Sequence, residues 1–464
     1  MLRILNRYYP IRNFFFFFGE GLIIFISLLA AAYTRFGGDI GTLANYSHLI
    51  PKALLVTIVC QLCLYYNDLY DFKVVTTNIE LIIRLLQAIG TSYLLLAFIY
   101  FLFPAAILGR GVFLINLFFL TLLIVSWRLL YNWVLKSRRF DQKLLVVGTG
   151  DLARKLTEEI NNRKDSGFQI MGFIGTNPLP VERKGACFPI LGSHGQIFEI
   201  VKKYEVEKIV VAIQERRGNF PADELLRCRV GGVEIEEAIS FFEKLAGKVF
   251  VQGIYPSWLI FSGGFKKSRL KKTIKRVSGM ILSSIGLTLS LPLLLITAIS
   301  IKVESRGPMI YKQERIGENG KIFRLLKFRS MIQDAEPKGK ALWATAGDSR
   351  ITKLGRVIRK FRIDEIPQMI NVLKGDMNFV GPRPERPQFV EELEKQIPYY
   401  SQRCSIKPGI TGWAQIMYPY GSSVEDALEK LHYDLYYIKN MSIIFDLIIV
   451  FNTIKVILFG KGAR

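Results

Sequence analysis

The chain has 464 residues, room for roughly three domains, and is 50% hydrophobic, with 62 Lys+Arg against 39 Asp+Glu and a net charge of +23. That apolar content excludes an ordinary soluble enzyme. Such charge could serve a nucleic acid, but much of it flanks apolar segments, where anionic lipid headgroups are the better partner, and no RNA- or DNA-binding motif occurs. Four apolar stretches occupy the first 140 residues, at 14–34, 53–70, 85–107 and 111–135. Each can cross ~30 Å of hydrocarbon as a helix. Glu20, in the first, is expected to face the interior of a four-helix transmembrane bundle. Arg3, Arg7 and Arg12 precede the bundle, and Lys136, Arg138, Arg139 and Lys143 follow it. Both ends are therefore expected on the cytoplasmic side, with an even number of spans between them. The first apolar run is too long for a cleavable signal.

Residues 141–258 read as a soluble α/β domain, with strands at 143–148, 169–175, 208–213 and 233–236. The pattern is that of a Rossmann-like parallel sheet. Gly148-Thr149-Gly150-Asp151-Leu152-Ala153 fits G-x-G-x-x-A, but the second strand runs into Phe173-Ile174-Gly175-Thr176-Asn177 with no acid for a ribose. A sensory or dimerising domain that keeps the nucleotide-binding shape is favoured over one that binds NAD(H).

The third part, 259–464, opens with seven basic residues (Lys266, Lys267, Arg269, Lys271, Lys272, Lys275 and Arg276) before the apolar run 277–301. A fifth span is one reading of that run. Pro292 in its middle removes a helix hydrogen bond, and a re-entrant helix-break-helix that returns to the same face is the favoured one. Apolar residues 442–460 include Asp446, Asn452 and Lys455, and read as an interfacial helix rather than a span. Cys60 and Cys63 form a C-x-x-C inside an apolar helical run with no second pair, so packing is their expected role. Cys187, Cys228 and Cys404 are scattered. The three histidines, His48, His194 and His432, suggest neither a His-based metal site nor a His-based triad.

The chemistry concentrates in Arg359-Lys360-Phe361-Arg362-Ile363-Asp364-Glu365-Ile366-Pro367-Gln368, followed by Gly381-Pro382-Arg383-Pro384-Glu385. Adjacent carboxylates repel each other, and a nucleophile beside a metal ligand is one arrangement that needs both. Pro367 is tolerated only in a first helical turn, and Ile366, Met369, Ile370, Val372 and Leu373 give an apolar helical face closed by Gly375. Asp364 would then sit at a helix start, where free N–H groups favour a carboxylate or a phosphate. An N-capping Asp followed by a dipole-friendly Glu is the bland reading of the same residues. Lys327, Arg329, Arg359 and Arg383 could supply the positive field that a pyrophosphate requires. Each could equally be a solvated basic residue.

Neighbouring motifs favour the chemical reading. Upstream stand Gln313-Glu314-Arg315-Ile316-Gly317-Glu318-Asn319-Gly320-Lys321 and Lys327-Phe328-Arg329-Ser330-Met331, with Asp334 and Glu336 just after. Downstream stand Lys407-Pro408-Gly409-Ile410-Thr411-Gly412-Trp413-Ala414-Gln415 and Tyr433-Asp434-Leu435-Tyr436-Tyr437. In this order they resemble the bacterial sugar transferase family, monotopic phosphoglycosyl transferases that act on a polyprenyl phosphate. The resemblance covers residues 265–464, and the N-terminal half is similar to the extension of the large members that start exopolysaccharide or O-antigen units. It implies a mainly helical monotopic catalytic domain and a two-step transfer of sugar-1-phosphate from a UDP-sugar to undecaprenyl phosphate, with release of UMP. By the motif match, Asp364 would be the nucleophile, Glu365 the Mg²⁺ ligand, and Asp434 a further acid near the site. Arg359 would hold the donor phosphates, and Pro382-Arg383-Pro384 would grip the nucleotide. The family's re-entrant break is Ser-Pro, whereas here the order is Ser290-Leu291-Pro292. The large members suggest a homodimer. Glucose, galactose and N-acetylated sugars all stay open as the donor. Two other classes compete: a transferase that moves the sugar alone and releases UDP, and a non-catalytic membrane scaffold whose middle domain senses nucleotide.

Overall fold

A computed structural model describes the chain except for residues 1, 5–6, 10, 40, 42–45, 47, 71–77, 138–140, 164–165, 176–188, 214–219, 255, 266–267, 333–347, 419–420, 422 and 459–464. Arg138, Arg139, Thr176, Asn177, Cys187, Lys266, Lys267, Asp334 and Glu336 lie outside the described residues. The chain divides into two compact units, one holding Tyr8–Ala238 and the other Ile239–Arg464.

The first unit begins with four apolar helices: α1 (Ile11–Arg35), α2 (Leu49–Tyr66), α3 (Asn78–Leu102) and α4 (Arg110–Ser137). Each is long and apolar enough to cross a membrane. Their shared core includes Ile24, Leu28, Val56, Cys60, Leu85, Ala88, Leu120 and Ile124. The second and third helices both begin and end earlier than the hydropathy reading places them. The second helix stops at Tyr66 because Asn67 turns its amide back onto the Cys63 carbonyl (2.8 Å) and Asp68 takes φ 62°. The third starts seven residues before its apolar run, in a polar first turn that the Glu80–Arg84 pair (2.9 Å) supports. Glu20 is fully buried. Its two oxygens meet Arg128 Nε (2.7 Å) and Nη2 (3.0 Å), while Arg128 Nη1 donates to the Leu69 carbonyl (2.7 Å).

The same unit continues into a five-stranded, all-parallel sheet of order β3-β2-β1-β4-β5. Its strands are β1 (Gln142–Val147), β2 (Phe168–Ile174), β3 (Ile190–Gly192), β4 (Lys208–Val211) and β5 (Glu234–Glu237). Helices α5 (Asp151–Asn161), α6 (Ile197–Tyr204) and α7 (Ala222–Val230) connect them. This is the Rossmann-like order. Strand β3 was not readable from the sequence because it is only three residues long. Gly148 has φ 115°, and a Cβ there would stand 2.9 Å from the Ala212 backbone. Sheet packing alone thus accounts for the first glycine of the G-x-G.

The second unit starts with α8 (Ala238–Ala246) and α9 (Pro256–Phe261). Residues 239–258, which the sequence places with the middle domain, instead pack on the C-terminal part: Glu243 pairs with Lys439 (2.6 Å), and Trp413 Nε1 donates to the Gly247 carbonyl (2.9 Å). Helix α10 (Arg269–Glu304) is one uninterrupted helix of 36 residues with Pro292 inside it, rather than two helices around a break. Pro292 leaves the Thr288 carbonyl without a helical donor. Ser290 does not replace it, because its Oγ donates to Gly286 O (2.6 Å). Both ends of α10 dock on the same unit. Near its start, Arg276 donates to the carbonyls of Val372 and Leu373, and near its end Ile301 packs with Phe328 and Ile358. Between them, Leu289, Leu291 and Leu295 are exposed.

The remaining elements are β6 (Ile310–Ile316), β7 (Ile322–Phe328), α11 (Lys353–Lys360), α12 (Gln368–Lys374), β8 (Asn378–Val380), α13 (Pro387–Gln396), β9 (Gly409–Thr411), α14 (Trp413–Met417), α15 (Val424–Asn440) and α16 (Ile443–Leu458). Helix α16 turns its acid inward and its apolar side out. Asp446 binds Lys275 (2.6 Å) and accepts from Tyr437 Oη (2.6 Å), while Ile443, Ile444, Leu447 and Ile454 are exposed.

Candidate active site

Strands β6 and β7 form an antiparallel hairpin, with Tyr311 opposite Lys327 and Ile316 opposite Ile322. Its turn uses Asn319 (φ 55°) and Gly320 (φ 77°), which explains the Glu318-Asn319-Gly320 sequence. Lys327 is thereby carried to the end of β7. Asn371, on the face of α12, stitches the hairpin to that helix: its Oδ1 accepts from Leu326 N (3.0 Å) and its Nδ2 donates to Arg324 O (2.8 Å).

Helix α11 is capped by the Thr352 side chain (2.9 Å to Gly355 N) and ends at Phe361. Arg362 then adopts φ 55°, and the resulting corner leads into a single 3₁₀ turn, Ile363–Glu365. The acid pair sits in this turn, ahead of α12, and neither residue caps that helix. Pro367 occupies the helix entry and Gly375, at φ 99°, its exit. Both acids are buried, Asp364 at 7% and Glu365 at 8% exposure.

Three cations from three segments converge on Glu365. Arg383 Nη2 lies 2.8 Å and Lys327 Nζ 3.5 Å from Oε1, and Arg362 Nη1 lies 3.3 Å from Oε2. Burial opposes charge on Glu365, but Arg383, Lys327 and Arg362 together hold its carboxyl far below the ordinary carboxylate range. Asp364 shifts the other way. Burial first, and then the charge of Glu365, raise its carboxyl, against the pull of Lys327, Arg359 and Arg383. Lys327 is pushed down to about 8, by burial above all, with Glu365 opposing. One acid of the pair is therefore fixed as an anion, while its neighbour titrates within the working range.

The Gly381–Glu385 segment is held from behind. Strand β8 pairs in parallel with β9, and a Cβ on Gly409 would collide with the Gly381 nitrogen, so the two chains meet at glycine. Arg315 Nη1 donates to Pro384 O (3.1 Å), and Ile316 N to Glu385 O (3.0 Å). Arg403 donates to Arg383 O (3.1 Å) and pairs with Asp434 Oδ2 at 2.9 Å. Burial pushes the Asp434 carboxyl up to about 6 despite Arg403.

Two clefts flank this constellation. One, the smaller, is lined by Ile316, Pro382, Arg383, Pro384, Glu385 and Arg403 among others. The second and larger has Arg362 and Glu365 among its lining and is otherwise mainly apolar.

The structure thus brings together Asp364, Glu365, Lys327 and Arg383, with Arg359 acting on Asp364 through its charge, and with Pro382 and Pro384 lining the smaller cleft. Asp434 reaches this group only through Arg403. Arg329 is elsewhere: its guanidinium bonds Ser305 O (2.7 Å) and Arg306 O (2.9 Å) just past the end of α10. Its basic charge gave no sign of that, since a cation suits a helix C-terminus as well as a phosphate. Sequence reasoning missed Arg362, Arg403 and Asn371. The last had a signal, an amide set among the apolar residues of α12, one turn after Gln368.

A buried acid pair, with Glu365 clamped by three cations, is the candidate site. Comparison narrows the class. A family profile described as "Bacterial sugar transferase" matches residues 270–460, and one described as "CoA-binding domain" matches residues 66–230. The chain is 43% identical over 240 residues to a UDP-N-acetylgalactosamine-undecaprenyl-phosphate N-acetylgalactosaminephosphotransferase of Aeromonas hydrophila, which covers 52% of this chain and 56% of that protein. It is 32% identical over 335 residues to the UDP-glucose:undecaprenyl-phosphate glucose-1-phosphate transferase of Escherichia coli K12, covering 69% and 68%. A putative undecaprenyl-phosphate N-acetylgalactosaminyl 1-phosphate transferase of Bacillus subtilis is 52% identical over 130 residues, covering 28% and 72%. The chain therefore belongs to the bacterial sugar transferase family. The match spans just over half of the Aeromonas relative's length.

Proposed function

We propose that this protein transfers a sugar-1-phosphate from a UDP-sugar to undecaprenyl phosphate, starting a polysaccharide repeat unit on the cytoplasmic face of the bacterial inner membrane. The observation that carries this reading is the asymmetry of the acid pair. Glu365 is fixed as an anion by Arg383, Lys327 and Arg362, beside a buried Asp364 that lacks such a clamp.

In the first step an Asp364 carboxylate oxygen attacks the β-phosphorus of the donor. The bond from that phosphorus to the bridging oxygen breaks, and UMP leaves with the electron pair. In the second step a phosphate oxygen of the acceptor attacks the same phosphorus, and the Asp364 carboxylate leaves. The sugar–oxygen bond is untouched throughout. Lys327, Arg359 and Arg383 offset the charge that repels an anionic nucleophile. Arg315 and Arg403 hold the backbone of the segment that carries Arg383, through the carbonyls of Pro384 and Arg383.

Two adjacent carboxylates could serve a divalent cation, with Arg383 and Lys327 already on one Glu365 oxygen and Arg362 on the other. Mg²⁺ is usually held by one or two carboxylates plus substrate phosphates. No group of three or more His, Cys, Asp or Glu residues converges among the described residues, so the substrate would complete the shell. Glu365, with Asp364 adjacent, would hold the ion, which would polarise the pyrophosphate oxygens.

The exposed apolar middle of α10 between two ends docked on the same unit supports a helix that contacts the bilayer without carrying the rest of this unit across it. The decisive experiment measures nucleotide release from UDP-sugars, with UDP-N-acetylgalactosamine and UDP-glucose first in the panel, in the presence of undecaprenyl phosphate and Mg²⁺. UMP from one donor, lost in Asp364→Asn, establishes the reaction. UDP release, or none from any donor, overturns it.

A further inference from the structure

The Thr411-Gly412-Trp413-Ala414-Gln415 motif has no part in the chemistry above, yet it reaches the larger cleft. Gln415 lines that cleft together with Glu365 and Arg362. Its Nε2 is buried and finds no hydrogen-bond acceptor among the described residues. A buried amide donor without an acceptor is costly unless a ligand supplies one. Arg362, on the same lining, has its Nη1 3.3 Å from Glu365 Oε2.

Apart from these groups and the side chains of Thr411 and Thr453 the cleft is apolar. Met369, Phe379, Ile410 and Ile416 form one side, and Val456 and Ile457 of α16 the other. The α16 wall is pinned by the Thr411–Thr453 hydroxyl contact at 2.6 Å. On α16 itself, Ile443, Ile444, Leu447 and Ile454 are exposed. An apolar channel walled by a helix with an apolar outer side, and holding a cation and a spare amide donor beside the acid pair, matches a ligand with a long hydrocarbon chain and an anionic head.

We propose that this groove is the docking site of the lipid-phosphate acceptor, with Gln415 Nε2 and Arg362 taking its phosphate and the α16 wall its chain. The assignment rests on the transfer reading above. Gln415 is a binding residue in this scheme, and the α16 residues select for chain length. Placing the phosphate at Gln415 puts it in the cleft that Glu365 lines, next in sequence to Asp364.

The test uses the full-length protein in phosphatidylcholine nanodiscs. A diazirine-bearing polyprenyl phosphate should crosslink to residues 366–379 and to α16. Undecaprenyl phosphate should compete; undecaprenol and inorganic phosphate should each compete poorly. In kinetics, Gln415→Leu should raise the acceptor KM about tenfold, the loss of one hydrogen bond to a charged group, with the donor KM moving far less. Gln415→Glu, nearly identical in shape, should raise it further through charge repulsion. Val456→Trp should hinder undecaprenyl phosphate more than geranyl phosphate. Crosslinks elsewhere, or an acceptor KM unmoved by all three variants, would overturn the assignment while leaving the transfer reading intact. Equal competition by undecaprenol would refute the phosphate role of Gln415. Competition by inorganic phosphate alone would reassign the groove to a free phosphate. Specific crosslinks in a protein that shows no turnover would support the docking site and defeat the transfer reading.

Discussion

Arg383 Nη2 stands 2.8 Å from Glu365 Oε1, and this contact joins the two clefts: Arg383 lines the smaller one and Glu365 the larger. The ion pair between the clefts helps to keep Glu365 charged.

Removing the proposed nucleophile separates chemistry from folding. Asp364→Asn should lower turnover by about 10⁴-fold or more, the scale seen when a catalytic nucleophile is deleted. Stability should not fall. The Asp364 carboxyl is raised on folding, so the native state holds its proton longer, and stability is lost as pH rises through the folded value. At pH 8 the neutral asparagine avoids that loss, and its melting temperature should match or exceed wild type, by on the order of 1–3 kcal/mol in stability. Scanning fluorimetry at pH 5 and pH 8 checks it: the advantage must grow with pH.

Turnover should trace a bell against pH. Its acid limb reports Asp364 and should lie above the ordinary value of 3.8. Its alkaline limb should lie near pH 8, where Lys327, pushed down to about 8, loses its charge. Lys327→Arg keeps a cation at all accessible pH and should move the alkaline limb upward. A limb that stays near pH 8 in that variant would assign it to another group.

Asp434 acts at one remove. Asp434→Ala leaves the buried Arg403 guanidinium without its anion and should cost about 3–5 kcal/mol of stability. In the protein that still folds, the donor KM should rise more than kcat falls, because Arg403 holds the Arg383 carbonyl rather than any reacting atom. A collapse of kcat at unchanged melting temperature would instead put Asp434 in the chemistry.

The membrane bundle offers an independent check. Arg128→Leu strands Glu20, a fully buried carboxylate, and should destabilise by about 3–5 kcal/mol. The double variant Glu20→Leu/Arg128→Leu should recover most of that loss, since two apolar side chains replace a pair that desolvation already weakens. Melting in detergent of the two single variants and the double variant reads the coupling directly.

The sequence by itself determined most of the elements and singled out the candidate site. Apolar runs located four helices, continuous runs of Leu, Ile and Val located strands of the parallel sheet, and the Asp364-Glu365 pair between proline and arginine motifs marked the candidate site. All of these are local patterns, set by hydrophobic period, by backbone restriction or by adjacency along the chain. Tertiary structure decided what depends on residues distant in sequence. It turned Arg329 toward the end of α10 rather than toward the site, and it brought in Arg362, Arg403 and Asn371 instead. It paired Arg128 with Glu20 across 108 positions, and it carried α10 through Pro292 without interruption. It also split the acid pair into a fixed anion and a titrating neighbour. Adjacency in the chain makes two carboxylates repel, but only the three-dimensional convergence of Arg383, Lys327 and Arg362 decides which of them keeps its charge.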